Sequence, residues 1–402
     1  MGVCMSIDEQ STLQKAAYGP SKPLKGKKKI VMEMLNAEAK VAEILSRMPS
    51  RICTNGSTFS ACAFSKQGRK GVNQDCMLVW EELAAQADTV FCGLFDGHGP
   101  NGHLVAKKVR DTLPVLLALP HSLLVNEADN LDGDEDALID EECQKEKDSV
   151  LKSQEETAAI DKLNRDLSCD QKLALKAFSD QKWREKLVAA YKLMDRNLKS
   201  HPKLHCFDSG TTAVTMVLQG KNLFIGNVGD SRAILARRSQ DNGSLVAHQL
   251  TTDLKPNLPK ELERIKRCKG RVFALHDEPN VARVWLPHSD MPGLAMARAL
   301  GDFCLKDYGL SATPQIFART LVEEDEFIVL ASDGIWDVLS NEDVVKIVSS
   351  AFPKETAAKA LVHAAIRCWK IKYGVWRTDD CTAVCFFMKE KLAPTFSVRT
   401  DH

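Results

Sequence analysis

Twice in this chain an apolar run of strand length stops on an aspartate followed by glycine. Phe91-Cys92-Gly93-Leu94-Phe95 runs into Asp96-Gly97-His98-Gly99, and Phe327-Ile328-Val329-Leu330-Ala331 runs into Ser332-Asp333-Gly334, with Trp336-Asp337 just beyond. The acid pair Asp379-Asp380 stands before another such run at Thr382–Phe387, and Asp208 precedes Ser209-Gly210-Thr211-Thr212 and one more. A single Asp-Gly is a common turn pair. Several acids at strand ends, one of them beside His98, constrain the chain further, because a sheet sandwich gathers strand ends at one edge and holds their side chains rigidly. Gathered carboxylates repel one another and lose hydration, so something positive must compensate. A hard divalent ion with carboxylate, carbonyl and water ligands, Mg²⁺ or Mn²⁺, meets that need. Gly97 adds a backbone carbonyl that no Cβ would keep from an ion.

The runs Asp88–Phe95, Thr211–Leu218, Asn222–Gly226, Ala233–Ala236, Glu326–Ala331 and Thr382–Phe387 have strand length and β-branched or aromatic content. Between them, helical stretches are expected over Gly102–Leu117, Gln181–Ser200 and Lys354–Trp369. Clustered strands with interleaved helices argue for α+β rather than a doubly wound parallel sheet. Three segments are expected: a basic N-terminal arm and helix over residues 1–50, a main domain over 51–390 with an acidic insertion near 126–160, and a short tail over 391–402. The arm begins Met1-Gly2-Val3-Cys4-Met5-Ser6, which fits an N-myristoylation pattern with Cys4 placed for a second acyl chain. One myristoyl chain binds a bilayer only marginally, and Cys4 or the lysines Lys22, Lys25, Lys27, Lys28 and Lys29 would each supply a second signal. The arm reads either as peripheral membrane contact or as a basic arm with an incidental Gly2. Helical spacing follows over residues 30–47 and stops before Pro49. In the acidic run, placing Gly133 at the calcium-loop glycine puts Ala128 and Ile139 at ligand positions, so it reads as an exposed insertion instead.

Composition removes several classes. The 54 Lys+Arg balance 54 Asp+Glu, which argues against a nucleic-acid binder that grips phosphates through a general basic excess. The 13 cysteines are scattered, odd in number and without a CxxC pair, and no secretory leader precedes them, so reduced intracellular thiols are expected. No stretch approaches the ~18 consecutive apolar residues of a membrane span.

Five segments occur in a familiar order: Asp96-Gly97-His98-Gly99, Asp208-Ser209-Gly210-Thr211-Thr212-Ala213, Asn227-Val228-Gly229-Asp230-Ser231-Arg232, Ala299-Leu300-Gly301-Asp302 and Ala331-Ser332-Asp333-Gly334-Ile335-Trp336-Asp337. Together they resemble the metal-dependent type 2C Ser/Thr protein phosphatases, their plant branch in particular, over roughly residues 52–390. The resemblance implies a four-layer α/β/β/α sandwich of two antiparallel sheets flanked by helices, usually monomeric, with two Mg²⁺ or Mn²⁺ ions at one end. Asp96 would bridge both ions and Gly97 would give its backbone oxygen. Asp333 and Asp379 would hold the second ion. Asp75, in Gly71-Val72-Asn73-Gln74-Asp75, would reach the metals through water. Asp208 and Asp337, with Asp333, match a weaker third site present in some members. His98 matches the general acid, and Asp302 matches a supporting position. A water activated by the two ions would attack phosphorus in line, with phosphoserine and phosphothreonine in proteins as substrates. A Cys-x5-Arg loop, a Gly-Asn-His-Glu segment and a Walker loop are all missing from the sequence, which argues against the other phosphatase classes and against NTP use.

Three positions depart from the family pattern. Lys70 stands where Arg is common, so the bidentate fork on phosphate is lost, and either phosphate binding is weaker or Arg69 helps. Gln74 stands where Glu is common, and Asp379-Asp380 where Asp-Asn is common. Assigning the ligand to Asp379 follows from alignment with the next strand. In the variable flap Val272–Gly293, the tryptophan used for abscisic-acid receptor control is not at its place, so that control is not expected. Trp285 reads as a packed aromatic, and His103, His205 and His363 as structural or surface residues. An active enzyme is expected; the alternative is a catalytically weak, membrane-tethered binding module, supported by Lys70 and Gln74.

Overall fold

The structure, a computed structural model, describes residues 50–83, 86–129, 169–389 and 392, with side chains of the long helix described from residue 180 onward. These residues belong to one compact unit that begins at Ser50. The basic arm, the helix expected over 30–47, most of the acidic insertion and nearly all of the tail lie outside the described residues.

Two sheets make the frame. The first runs, edge to edge, Arg51–Ile52, Asp75–Glu81, Thr89–His98, Ala213–Gln219, Asn222–Val228 and Gln315–Thr320, with the short pair Gly210–Thr211 and Leu300–Gly301 joined beside it. The second runs Leu245–Gln249, Arg232–Arg238, Asp325–Ala331, Cys381–Phe387, Ala61–Lys66 and Gly56–Ser57. Every pairing in both is antiparallel.

The period-two alternation of strands explains why the runs are apolar on both faces. In Asp325–Ala331, Ile328 and Leu330 join Met77, Leu94, Val214 and Leu235 in the core between the sheets. Phe327, Val329 and Ala331 point the other way and pack with Leu361, Val362 and Ala365 of the helix Ala357–Lys372. The strand Cys381–Phe387 divides likewise, with Val384 and Phe386 inward and Ala383, Cys385 and Phe387 toward the helices. On the first sheet the helix Gly102–Ala118 buries Val105, Val109, Leu113 and Leu117 at helical spacing. The result is the expected α/β/β/α sandwich.

Helix Cys169–Ser200 is fastened to that first sheet by one fully buried phenol. The Tyr191 hydroxyl donates to the Gly226 carbonyl at 3.0 Å and shares a 2.8 Å bond with the Thr215 hydroxyl. A side chain at Gly226 would press on the same ring. A third sheet, Arg271–Ala274, Ala282–Leu286 and Ser289–Leu294, stands apart as the flap, with helix Pro259–Arg267 near it. There Trp285 is buried, stacks on Phe273 at 4.8 Å and donates to the Phe273 carbonyl at 3.0 Å, so it is a packing residue. Among the described residues no helix is long and apolar enough to cross a membrane, and the 10 described cysteines are free.

Replacing Tyr191 by Phe leaves the Thr215 hydroxyl and Gly226 carbonyl short of a buried partner. A loss of about 1–3 kcal/mol of unfolding free energy is expected in urea titration, with the flap and the Asp96 region unchanged.

Candidate active site

Asp75 opens one strand and is the direct antiparallel partner of Asp96 in the next. Strand Thr89–His98 continues through Asp-Gly-His, so Asp96 lies within the strand rather than after it. Its main chain is locked from the side: its N–H donates to the Thr212 hydroxyl at 3.1 Å, and its carbonyl accepts from the Thr212 N–H at 2.8 Å and the Thr211 hydroxyl at 3.0 Å. From the second sheet, Asp333 is the first residue of a short helix, Asp333–Trp336, that follows the strand ending at Ala331. Asp379 and Asp380 precede strand Cys381–Phe387. The Ser332 hydroxyl donates to Asp75 Oδ2 at 2.8 Å and accepts from the Thr382 N–H at 3.2 Å, which ties the two sheets at this end.

Gly97 is required for a reason beyond carbonyl access. A Cβ there would collide with the Gly102 carbonyl and crowd that of Gln74, so glycine lets the strand end meet the start of helix Gly102–Ala118. At Gly334 a Cβ would strike the Asp380 carbonyl, so the two acid-bearing loops can touch only without a side chain.

The electrostatics show that the acids face one another. Burial and then the charges of Asp75, Asp333, Asp230 and Asp379 hold the Asp96 carboxyl well above the usual range. Asp333 is held up by burial and by Asp230, Asp379 and Asp337. Burial above all pushes Asp75 up to about 7, although the Thr382 and Ser332 hydroxyls counter it. Asp337 is raised by burial and by Asp230 and Asp379, against Lys255. Asp75, Asp96, Asp333, Asp337 and Asp379 are thus brought into one field. Asp208 is placed differently: it is exposed on the loop before Gly210, with its carbonyl against Gly99.

Two lysines supply the positive charge. Lys70, more than half exposed, pairs with Asp379 and lies 5.7 Å from the Trp369 ring. Lys255 pairs with Asp230, and that carboxylate prevails over burial to hold the ammonium protonated more firmly than usual. Asp230 is a participant that the sequence reading quoted within a motif but gave no role. The signal was there, since Asn222–Val228 runs into Gly229-Asp230 by the same rule as the other acids. Lys255 had no local signal. The Asp380 carboxylate accepts from the Gly68 N–H at 2.7 Å and the Gln74 N–H at 2.8 Å, and its charge also raises the Asp75 pKa, whereas Asp379 acts on Asp96, Asp333 and Asp337 as well. Its neighbour Gln74 carries a buried side-chain carbonyl without a partner.

His98 Nε2 lies 2.6 Å from Asp302 Oδ2, while Nδ1 is buried without a partner. Asp302 is only 2% exposed and sits at φ 51°, a left-handed conformation held by its N–H donating to the Ser209 carbonyl at 3.0 Å. Burial works against the imidazolium, but Asp302 outweighs it and raises the His98 pKa.

Asp75, Asp96, Asp333 and Asp379 are hard oxygen donors, and Asp75 Oδ1 and Asp230 Oδ1 are buried without hydrogen-bond partners. Among the described residues no three His, Cys, Asp or Glu side chains are close enough to grip an ion as they stand, and the two lysines neutralise part of the charge instead. The donor chemistry fits Mg²⁺ or Mn²⁺; the carboxylates would have to close on it.

Comparison with known proteins settles the family. A family model described as Protein phosphatase 2C matches residues 159–369. Probable protein phosphatase 2C 33 of Arabidopsis thaliana is 47% identical over 406 residues, spanning 96% of this chain and 80% of the relative. The chain belongs to the protein phosphatase 2C family. Probable protein phosphatase 2C 1 of the same plant is 51% identical over 348 residues, 87% of this chain and 70% of the relative. Among solved structures, the serine-threonine phosphatase 2C from Toxoplasma gondii superposes with TM-score 0.65 at 26% identity, covering 85% of this chain and 100% of that one. As a protein phosphatase 2C, this chain is a protein serine/threonine phosphatase acting on phosphoproteins, in a family that is metal-dependent, generally on Mg²⁺ or Mn²⁺.

Replacing Asp302 by Asn should lower the His98 pKa, read by NMR titration of the imidazole. The sign for stability follows. The folded pKa of His98 is raised, so the pair's contribution is complete below about pH 6.5, the unfolded value, and fades as pH rises through the folded value. In the Asn variant this slope should vanish from denaturation curves taken between acid and alkaline pH.

Proposed function

We propose that Asp75, Asp96, Asp333 and Asp379, with the Gly97 carbonyl, form the seat for two Mg²⁺ or Mn²⁺ ions, and that this centre hydrolyses phosphoserine and phosphothreonine in proteins. The observation that carries the reading is the convergence of four carboxylates from both sheets, with Asp75, Asp96 and Asp333 raised chiefly by burial and further by acidic neighbours. Such a group is stable as anions only beside added positive charge. When bound, the ions supply Lewis acidity toward phosphoryl oxygens and make a coordinated water more acidic.

The chain's own groups do the rest. Asp96 and Asp333 orient the donors from opposite sheets. Asp75 contributes through water, held by Ser332. Lys70 stands exposed at the rim and exchanges its bond to Asp379 for one to the incoming phosphoryl group. It does so as a point charge, without the fork of an arginine. His98 is held protonated against Asp302 and is the acid available to protonate the departing alkoxide. Asp337, and Asp208 from its exposed loop, are the donors for a weaker third ion.

Hydrolysis of p-nitrophenyl phosphate and of a phosphothreonine peptide should require added Mn²⁺, stop with chelator, and fall by about 100-fold or more in Asp96→Asn and Asp333→Asn. Thermal unfolding gives a readout free of turnover: Mn²⁺ should raise the melting temperature of the parent protein but not of Asp96→Asn. Because burial brings Asp75 to about 7, protons compete with the ion near neutrality. The apparent Mn²⁺ affinity should therefore fall as pH drops from about 8 to 6. A parent protein with no Mn²⁺-dependent hydrolysis at any concentration would return it to the weak binding-module reading.

A further inference from the structure

Beside Asp379 a cavity of about 320 Å³ opens between the turn that follows strand Ala61–Lys66 and the last helix, Ala357–Lys372. Lys66, Arg69 and Lys370 line it, no carboxylate does, and none of the three cations forms an ion pair with a described residue. The cavity is joined to the catalytic end by main chain. The Gly68 N–H donates to Asp380 Oδ1 at 2.7 Å, the Arg69 N–H donates to the Thr378 carbonyl at 2.8 Å, and the next residue, Lys70, pairs with Asp379. The positive field reaches beyond the cavity: partial burial and then the charges of Lys66, Lys359 and Arg367 lower the pKa of His363. Val375, which lines the cavity, is 44% exposed, and the next residue along the chain, Trp376, is 83% exposed.

We propose that this cavity is an anion subsite for the substrate chain: it receives a carboxylate or a second phosphoryl group carried close to the phosphoresidue being cleaved, while Val375 and Trp376 seat the intervening residues. The proposal rests on the phosphatase reading for what enters the neighbouring site. Three cations converging on a concave space without counter-charge form a local positive potential, which raises the encounter rate and selects anionic sequences. An acid-lined catalytic end otherwise repels such sequences. The subsite therefore makes this phosphatase prefer acidic or multiply phosphorylated segments.

Three phosphothreonine peptides test it with the full chain: one with neutral flanks, one with aspartates in the flanks, and one with a second phosphoserine. The parent protein should show kcat/KM about fivefold higher for the anionic peptides, mainly through KM, as expected for a few partly exposed ion pairs. The advantage should shrink at high salt. In K66Q/K370Q it should disappear, with p-nitrophenyl phosphate hydrolysis within about twofold of the parent. Fluorescence anisotropy of the same peptides with chelator present reads binding without turnover and should show the same loss. The aspartate and phosphoserine arms tell which anion the cavity takes. Equal kcat/KM for neutral and anionic peptides in the parent, or an advantage that survives in K66Q/K370Q, overturns the proposal. A chain that cleaves nothing yet binds anionic peptides more tightly through Lys66 and Lys370 keeps the subsite and removes the phosphatase reading. Sedimentation with phosphatidylserine vesicles that depends on Lys66 and Lys370, without discrimination among the peptides, assigns this face to a membrane and overturns the proposal.

Discussion

Mutual repulsion among buried carboxylates is the interaction around which this fold is organised. Asp96 and Asp333 come from different sheets, and after burial and Asp75 the charge of Asp333 helps to raise the Asp96 pKa. Left alone, such a group would push the sheets apart at one end. The chain answers locally with Lys255 on Asp230 and Lys70 on Asp379, and with the Ser332 hydroxyl bridging Asp75 to the second sheet. It answers globally with apolar packing: the inter-sheet core of Met77, Leu94, Val214, Ile328, Leu330 and Val384 holds the strands that carry the acids. Core and site are therefore two ends of the same strands, one attractive and one repulsive.

Much of this was legible in the sequence because strands announce themselves by apolar runs and the acids sit where those runs stop. Asp96 and Asp333 stand out that way, Asp379 stands just before such a run, and the runs give the α+β class, while the sandwich comes with the family resemblance. Short or half-exposed strands were harder to see. Leu245–Gln249 and Gln315–Thr320 lie at sheet edges with partly exposed residues, so neither presents a continuous apolar run. Strand Asp75–Glu81 begins on its functional residue, which hides the acid at the start of a run instead of at its end. Lys255 could not have been inferred, because its partner Asp230 is brought to it by tertiary packing. Conversely, Asp208 looked like the other acids in sequence, yet it lies on an exposed loop whose backbone supports Gly99.

The departures at Lys70, Gln74 and Asp380 take on physical meaning in place. Asp380 accepts one main-chain N–H on each carboxylate oxygen, which the single oxygen of an asparagine would not match, so the extra charge is held by backbone dipoles. Gln74 uses its main chain to receive Gly97 and to reach Asp380, which are roles independent of side-chain charge. Lys70 alone changes the chemistry, because it faces both Asp379 and solvent.

The pairing of Asp75 with Asp96 also bears on how this chain tolerates change in length. Side chains alternate faces along a strand, so a slip of one residue would turn one acid away from the other. An inserted residue in the segment before Asp75, or between Gly97 and the helix it abuts, acts directly on that phase. At the opposite end of the sandwich Gly243, in the turn between Arg232–Arg238 and Leu245–Gln249, has open space around it. Added length at that turn would leave the pairing of Asp75 with Asp96 in phase, because it lies outside the strands that carry it.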